Sequence, residues 1–133
     1  MMISISKHYD QARRYHYSNR NRGPENVYEE MAALSGKKFH PDLLNNFFVA
    51  LGVFPPGTLV ELDSGEIGIV IQSNIEDIRR PRLEVLYDTE GQKYEYPVII
   101  NLTERNKNGK FNKSIVQSIQ STDRIQIPDH YMN

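Results

Sequence analysis

Two hydrophobic rhythms divide the chain. Up to about Gly52 apolar residues recur at helical spacing, and beyond Pro55 they fall into short strand-like runs. Ile3, Ile5, Tyr9 and Ala12 predict a helix over roughly residues 2–13. A loop is expected after it, because Arg13–Gly23 is rich in Asn and poor in apolar side chains. Pro24 then stands at a first-turn position. Glu25, Glu29 and Glu30 follow, where negative charge suits the early part of a helix. Val27, Met31 and Leu34 form a stripe at i, i+4 and i+7 with Tyr28 beside them, and Gly36 ends the element. Pro41 opens a further helix whose apolar face is Leu43, Leu44, Phe47, Phe48 and Leu51, closed by Gly52.

Pro55-Pro56-Gly57 breaks this pattern and marks the boundary between a helical segment, 1–54, and a β module, 55–133. Strands are predicted at Thr58–Leu62, Gly68–Gln72, Leu83–Asp88, Tyr94–Ile100, Ser114–Ile119 and Arg124–Ile127. Asp63-Ser64-Gly65 and Asp88–Gly91 serve as turns between them. Asn106–Asn112 is expected to be a mobile polar loop. The fold class is α+β: two to three helices followed by a small antiparallel SH3-like β-barrel or curled sheet. Neither half is large enough to bury much core alone, so the halves are expected to pack on each other or on a second copy.

Composition narrows the chemistry. The 133 residues contain no cysteine, which excludes disulfides, thiolate catalysis and Cys-based zinc sites. No apolar run approaches a membrane span, and the start is too short in apolar residues for a signal peptide, so a cytoplasmic setting is expected. The net charge of −1 gives no global pull toward nucleic acid. Charge is uneven, however: Lys7, Arg13, Arg14, Arg20 and Arg22 stand against Asp10 alone in the first 22 residues.

Motifs for catalysis are lacking. His8, His16, His40 and His130 form no metal-binding spacing, and His8 and His16 lie about 12 Å apart along a helix. No serine lies in a nucleophile elbow. Gly65 and Gly68 lack phosphate-loop spacing and read as turn and bulge glycines of a hairpin. Glu61, Asp63 and Glu66 read as a solvated acidic turn. In the loop at Glu76-Asp77 and Arg79-Arg80 the opposite charges are expected to screen one another. One stretch does carry binding chemistry. Arg13, Arg14, Arg20 and Arg22 could hold phosphate while Tyr15 and Tyr17 stack on bases, as single-stranded nucleic-acid binders do. The competing reading is a surface whose tyrosines pack and whose arginines face water.

The order of several segments resembles the HD-GYP phosphohydrolases. Ile5-Ser6-Lys7-His8-Tyr9-Asp10-Gln11-Ala12 is similar to that family's Ile-Ala-Asp-x-Tyr-Asp-Ala-Leu, and Pro24–Met31 resembles its Ser-Pro-x-Glu-Ala helix. Gly36–Leu44 resembles Gly-x-x-Phe-Asp-Pro-x-Leu. Leu51–Leu62 and Gly65–Val70 look like the C-terminal extension of many members, and Asn74–Arg82 and Val85–Asp88 continue it. The resemblance covers residues 3 to about 102. It implies descent from enzymes that hydrolyse cyclic di-GMP with metal ions held by His and Asp. Most of those ligands lie upstream of the matching segments. The one ligand position inside the match, the first Asp of Asp-x-Tyr-Asp, is Lys7, whose ammonium repels a cation. Where the family reads Arg-Pro-Tyr-Arg, this chain reads His16-Tyr17-Ser18-Asn19.

The resemblance therefore implies a non-catalytic binding or regulatory module in bacterial signalling, with no catalytic residue, metal or cofactor. Its ligand is open among a protein, a nucleotide and RNA. The Asn74–Arg82 loop stands beside the Arg13–Arg22 stretch as a candidate contact. Loss of the upstream helices is expected to leave Ile3, Ile5, Tyr9, Phe47 and Phe48 as an apolar face that a homodimer covers. Rival readings are a phosphohydrolase fragment completed by a partner chain, a small RNA- or nucleotide-binding protein, and a β half serving only as a spacer.

Overall fold

The computed structural model describes residues 4–18 and 23–120, together with Ile125, Ile127, Pro128 and Tyr131 near the C-terminus; the side chains of residues 16–18 are outside this description. Three helices, α1 (Ile5–Ser18), α2 (Pro24–Ala33) and α3 (Pro41–Leu51), precede five strands. These are β1 (Leu59–Leu62), β2 (Ile67–Gln72), β3 (Arg82–Tyr87), β4 (Lys93–Asn101) and β5 (Ile115–Ile119). All neighbouring pairs are antiparallel in the order β4-β3-β2-β1-β5. β1–β4 thus form a meander, and β5 returns to the free side of β1. The edges, β4 and β5, do not pair with each other, so the sheet is open and not the closed barrel that was one of the two expectations.

The helical core follows the predicted stripes. Val27, Met31, Leu44 and Phe48 are buried with Tyr9 and Phe39. Phe48 meets Tyr9, Tyr28 and Phe47 edge-on, at centroid separations of 5.9, 4.8 and 5.1 Å, a favoured arrangement for aromatic rings. Tyr9 and Phe48 therefore face inward and cannot form the interface foreseen for them. Ile5 and Phe47 are only half-buried.

α1 also runs through Ser18, where a loop was expected after residue 13. Arg13 and Arg14 tolerate helix well. Ile5, Tyr9 and Ala12 anchor one face to the core, and Arg13 Nη1 donates to the Tyr9 hydroxyl one turn back at 3.0 Å. α3 starts as its sequence suggests, with Pro41 in the first turn and His40 Nδ1 accepting from the Asp42 amide at 3.2 Å.

One face of the sheet joins the helices. Val60, Leu62, Val70, Leu83 and Leu102 are buried against Val53 and Phe54, with Tyr28 and Ile78 packed alongside. β2 and β3 approach closely at Gly68, where the register shifts as a bulge. A Cβ there would lie 2.9 Å from the Glu84 carbonyl oxygen, so only glycine fits without moving the strands. The bulge reading of Gly68 and the turn reading of Gly65, at φ 91°, both hold. Neither Ile125, which lies in a bend, nor Ile127 is in a strand, contrary to the one predicted at Arg124–Ile127; Arg124 and Gln126 are outside the described residues.

Asn106–Asn112 forms a bonded hairpin tip instead of a loose loop. Asn106 and Lys110 pair through the backbone at 2.7 Å, and Asn106 Oδ1 accepts from the Asn108 and Lys110 amides at 2.9 and 3.1 Å. An Asn side chain can substitute for backbone partners in this way. No helix among the described residues is long and apolar enough to cross a membrane.

Candidate binding cleft

A cleft of about 290 Å³ opens where α2, β5 and the β2–β3 loop meet. Phe54, Ile115 and Val116 give it apolar walls. Glu25, Glu29, Asp77, Arg79 and Arg80 supply charge, three carboxylates against two guanidiniums.

Three of these charged groups, Glu25, Asp77 and Arg80, are engaged within the chain. Glu25, in the first turn of α2, reaches the outer edge of β5. Its carboxylate accepts from the Ser118 amide at 2.7 Å and from the Ser118 hydroxyl at 2.6 Å. Gly23 makes this approach sterically feasible, since a Cβ there would lie 1.9 Å from Ser118 Oγ. Asp77 shapes its own loop, accepting from the Arg79 amide at 3.1 Å. The Val53 amide donates to the Ile78 carbonyl at 3.0 Å, tying that loop to the end of α3.

Arg80 is the hub. Its guanidinium donates to the Leu102 and Lys113 carbonyls at 2.9 and 3.1 Å and to the Ser114 hydroxyl at 2.9 Å. It also lies 3.3 Å from the Phe111 ring centroid, and Arg105 lies 4.0 Å from the same centroid. With the Arg80 side chain 16% exposed and its nitrogen 3.8 Å from Asp77, the mutual screening expected in this loop is a minor contact. Arg80 instead fastens the β4–β5 connection to the sheet.

Arg79 and Glu29 are the groups left over. The Arg79 guanidinium sits 5.2 Å from the Tyr28 ring centroid. Among the described residues neither it nor the Glu29 carboxylate has a hydrogen-bond or ion-pair partner. A rim with one available cation, one available anion and an apolar floor is suited to binding a segment that carries both signs of charge.

The β4–β5 connection is held at a second point by Glu66. This residue was expected in a solvated turn, yet it is 4% exposed. Its carboxylate meets Lys113 at 2.6 Å and accepts from the Ser64 hydroxyl at 2.6 Å. Burial by itself would raise the Glu66 carboxyl, but the hydrogen bonds from Lys113, Ser64 and Tyr94 and the Lys113 charge hold it below its ordinary 4.5. That contribution to stability is complete above the unfolded value and is lost as pH falls through the lower folded value. Glu66→Gln is therefore expected to cost about 1–2 kcal/mol at neutral pH. It should also flatten the loss of stability below pH 4.5, which urea unfolding at pH 7 and pH 3 reads directly.

The basic stretch singled out in the sequence is only partly gathered. Arg13 is turned back onto Tyr9, at 5.7 Å from the ring centroid as well as through its hydrogen bond. Arg14 and Tyr15 are exposed on α1. Tyr17 lies in the last turn of α1 with its side chain outside the description, and Arg20 and Arg22 are outside the described residues. Lys7 is exposed on α1. His8 packs edge-on against Phe39 at 5.1 Å, and His40 caps α3. Among the described residues no three His, Cys, Asp or Glu side chains are arranged to hold a metal ion.

Residues 59–125, half of the chain, match the family described as the KOW domain associated with HD domain. The chain belongs to this family. The HD-associated KOW region thus begins at β1 and takes in the whole sheet, while the helices that complete the cleft lie before it. A stretch of 54 residues is 32% identical to a cyclic di-GMP phosphodiesterase of Pseudomonas aeruginosa. That alignment covers 41% of this chain and 13% of the relative, so most of the relative's length has no counterpart here. No solved structure matches the chain. The HD-type resemblance seen in the sequence is upheld by both findings.

The cleft itself was not visible in the sequence. Glu25 looked like a helix-dipole residue, and nothing local links it to Ser118, 93 positions away. The charged loop at Glu76–Arg80 was noted, but which of its two arginines is structural depends on carbonyls of residues 102 and 113.

Proposed function

We propose that the chain is a non-catalytic binding and regulatory module of an HD-type signalling system, cytoplasmic in setting, and that the α2–β5 cleft is its contact for a partner protein. The observation that carries the proposal is the pair of uncommitted opposite charges, Arg79 and Glu29, held over an apolar floor by a rigid frame. Lys7 supports the non-catalytic part, because an exposed ammonium stands where the resembling enzymes place a metal-binding carboxylate.

Similarity to the cyclic di-GMP phosphodiesterase favours a second reading, a phosphohydrolase whose site is completed by another chain. Incubation of the purified chain with manganese and a generic phosphodiester separates the two. The expected result is no turnover above buffer. Turnover that a chelator abolishes would overturn the binding-module reading.

The homodimer belongs to the same proposal. With Tyr9 and Phe48 inside the core, its interface would draw on half-buried Ile5 and Phe47 and on exposed Leu43. Mass-resolved light scattering at several ionic strengths should give a salt-resistant dimer, and a monomer throughout would remove it. Nucleic acid at Arg13, Arg14 and Tyr15 would show in the same run as salt-labile absorbance at 260 nm.

A further inference from the structure

The α2–β5 cleft is bounded at both ends by bonds that the chain makes to itself. At one end Glu25 crosses from α2 to the amide and hydroxyl of Ser118. At the other, Arg80 reaches from the β2–β3 loop to the Ser114 hydroxyl at 2.9 Å. From Ser114 to Ser118 the chain rises at most about 13 Å, the reach of about four extended residues. The volume between these ties, about 290 Å³, is at the lower limit for a ligand-sized pocket. A segment running the length of β5 would have to break one of the ties. A chain end can enter between them and leave both intact.

The open groups inside these bounds set what that end must carry. Arg79 is exposed, with its guanidinium 5.2 Å from the Tyr28 ring centroid. Its own amide is held by Asp77 at 3.1 Å, and the next residue back, Ile78, is bonded to Val53 at 3.0 Å. The backbone that carries the guanidinium is therefore fixed, and a guanidinium resting on a ring keeps edge donors open for a bidentate carboxylate. Val116, 58% exposed, lines the same cleft with Phe54 and Ile115. So small a space asks for a carboxylate and an apolar group close together. An Asp or Glu side chain supplies the carboxylate but takes the place of the apolar group. At a C-terminus the α-carboxylate and the last side chain share one carbon.

We infer that the cleft receives the free C-terminal end of a partner protein whose last residue is aliphatic or aromatic. The α-carboxylate pairs with Arg79, and the last side chain rests on Phe54, Ile115 and Val116. Glu29, the other open charge, selects a basic side chain a residue or two before the end. The inference rests on the reading of the cleft as a partner contact and names the chemistry of that partner. A carboxamide end has no charge to offer Arg79, so it is rejected.

The test uses the full chain, immobilised, and a library of acetylated hexapeptides randomised at the last four positions. The library is made once as free acids and once as C-terminal amides. Retained free acids should be enriched about tenfold or more in Leu, Ile, Val or Phe at the last position, with no such enrichment among the amides. Arg79→Gln should abolish the enrichment, and Arg79→Lys should restore only part of it, since an ammonium has no planar fork. Thermal unfolding checks that the variants are folded. If Arg79→Gln is not, Val116→Asp serves instead and should remove the preference for apolar ends. Equal retention of acids and amides, lost in Arg79→Gln, would overturn the chain-end inference while the cleft kept its role as a partner contact. Retention that is absent, or the same for wild type and Arg79→Gln, would overturn both.

Discussion

Arg80→Ala is expected to lower the unfolding free energy by about 3–4 kcal/mol, as loss of a largely buried charged donor that leaves several acceptors unsatisfied does. The substitution strips donors from two carbonyls and a hydroxyl and removes the cation over Phe111. These acceptors belong to Leu102, Lys113 and Ser114, which bracket the β4–β5 connection. The loss should therefore be felt as a loosened β5, with faster amide exchange at residues 114–119. Arg80→Lys should recover less than half of the stability, because an ammonium has no planar fork to reach three acceptors at once. Urea denaturation of the three proteins decides the point. A loss for Arg80→Ala within about 1 kcal/mol of wild type, the range of a solvated side chain, would remove Arg80 from its role as hub.

The second large effect lies in the helical core. Phe48→Ala is expected to cost about 3–5 kcal/mol, the range for emptying a buried aromatic site. The melting temperature should fall on the order of 10 °C or more. Phe48 is 3% exposed and touches three other aromatic rings. The alternative in which Phe48 lies at an interface between copies makes the opposite prediction. There the mass in solution would fall while the stability of the single chain stayed near wild type. Calorimetry and light scattering on one preparation distinguish these outcomes.

The elements that could be read from the chain are those fixed by local rules. Pro24 and Pro41 begin helices and Gly36 and Gly52 end the segments, because φ preferences act on single residues. The stripe at Val27 and Met31 and the apolar runs of β1 to β3 report burial directly. What escaped was long-range. Glu66 looks like any turn carboxylate until Lys113 is brought to it, and Phe39 looks like part of a connector until α1 and α3 close over it. The Arg13–Ser18 stretch was misread because composition was weighed above packing. Its helix is continued from a face anchored at Tyr9, and propensity yields to that. The candidate cleft was the least legible feature, since its walls come from α2, the β2–β3 loop and β5, none of which carries a motif.

The bond between Glu25 and Ser118 spans 93 residues, and β5 completes the sheet by returning to β1 after three other strands are in place. Closing so long a loop is entropically slow, so β5 joins late in folding. During synthesis the helices and the β1–β4 meander emerge first, with one side of β1 bare. An unpaired strand edge invites pairing with another chain. The nascent protein therefore passes through a stage in which β1 is its point of greatest aggregation risk, ended only when residues 115–119 leave the ribosome and Glu25 locks them down.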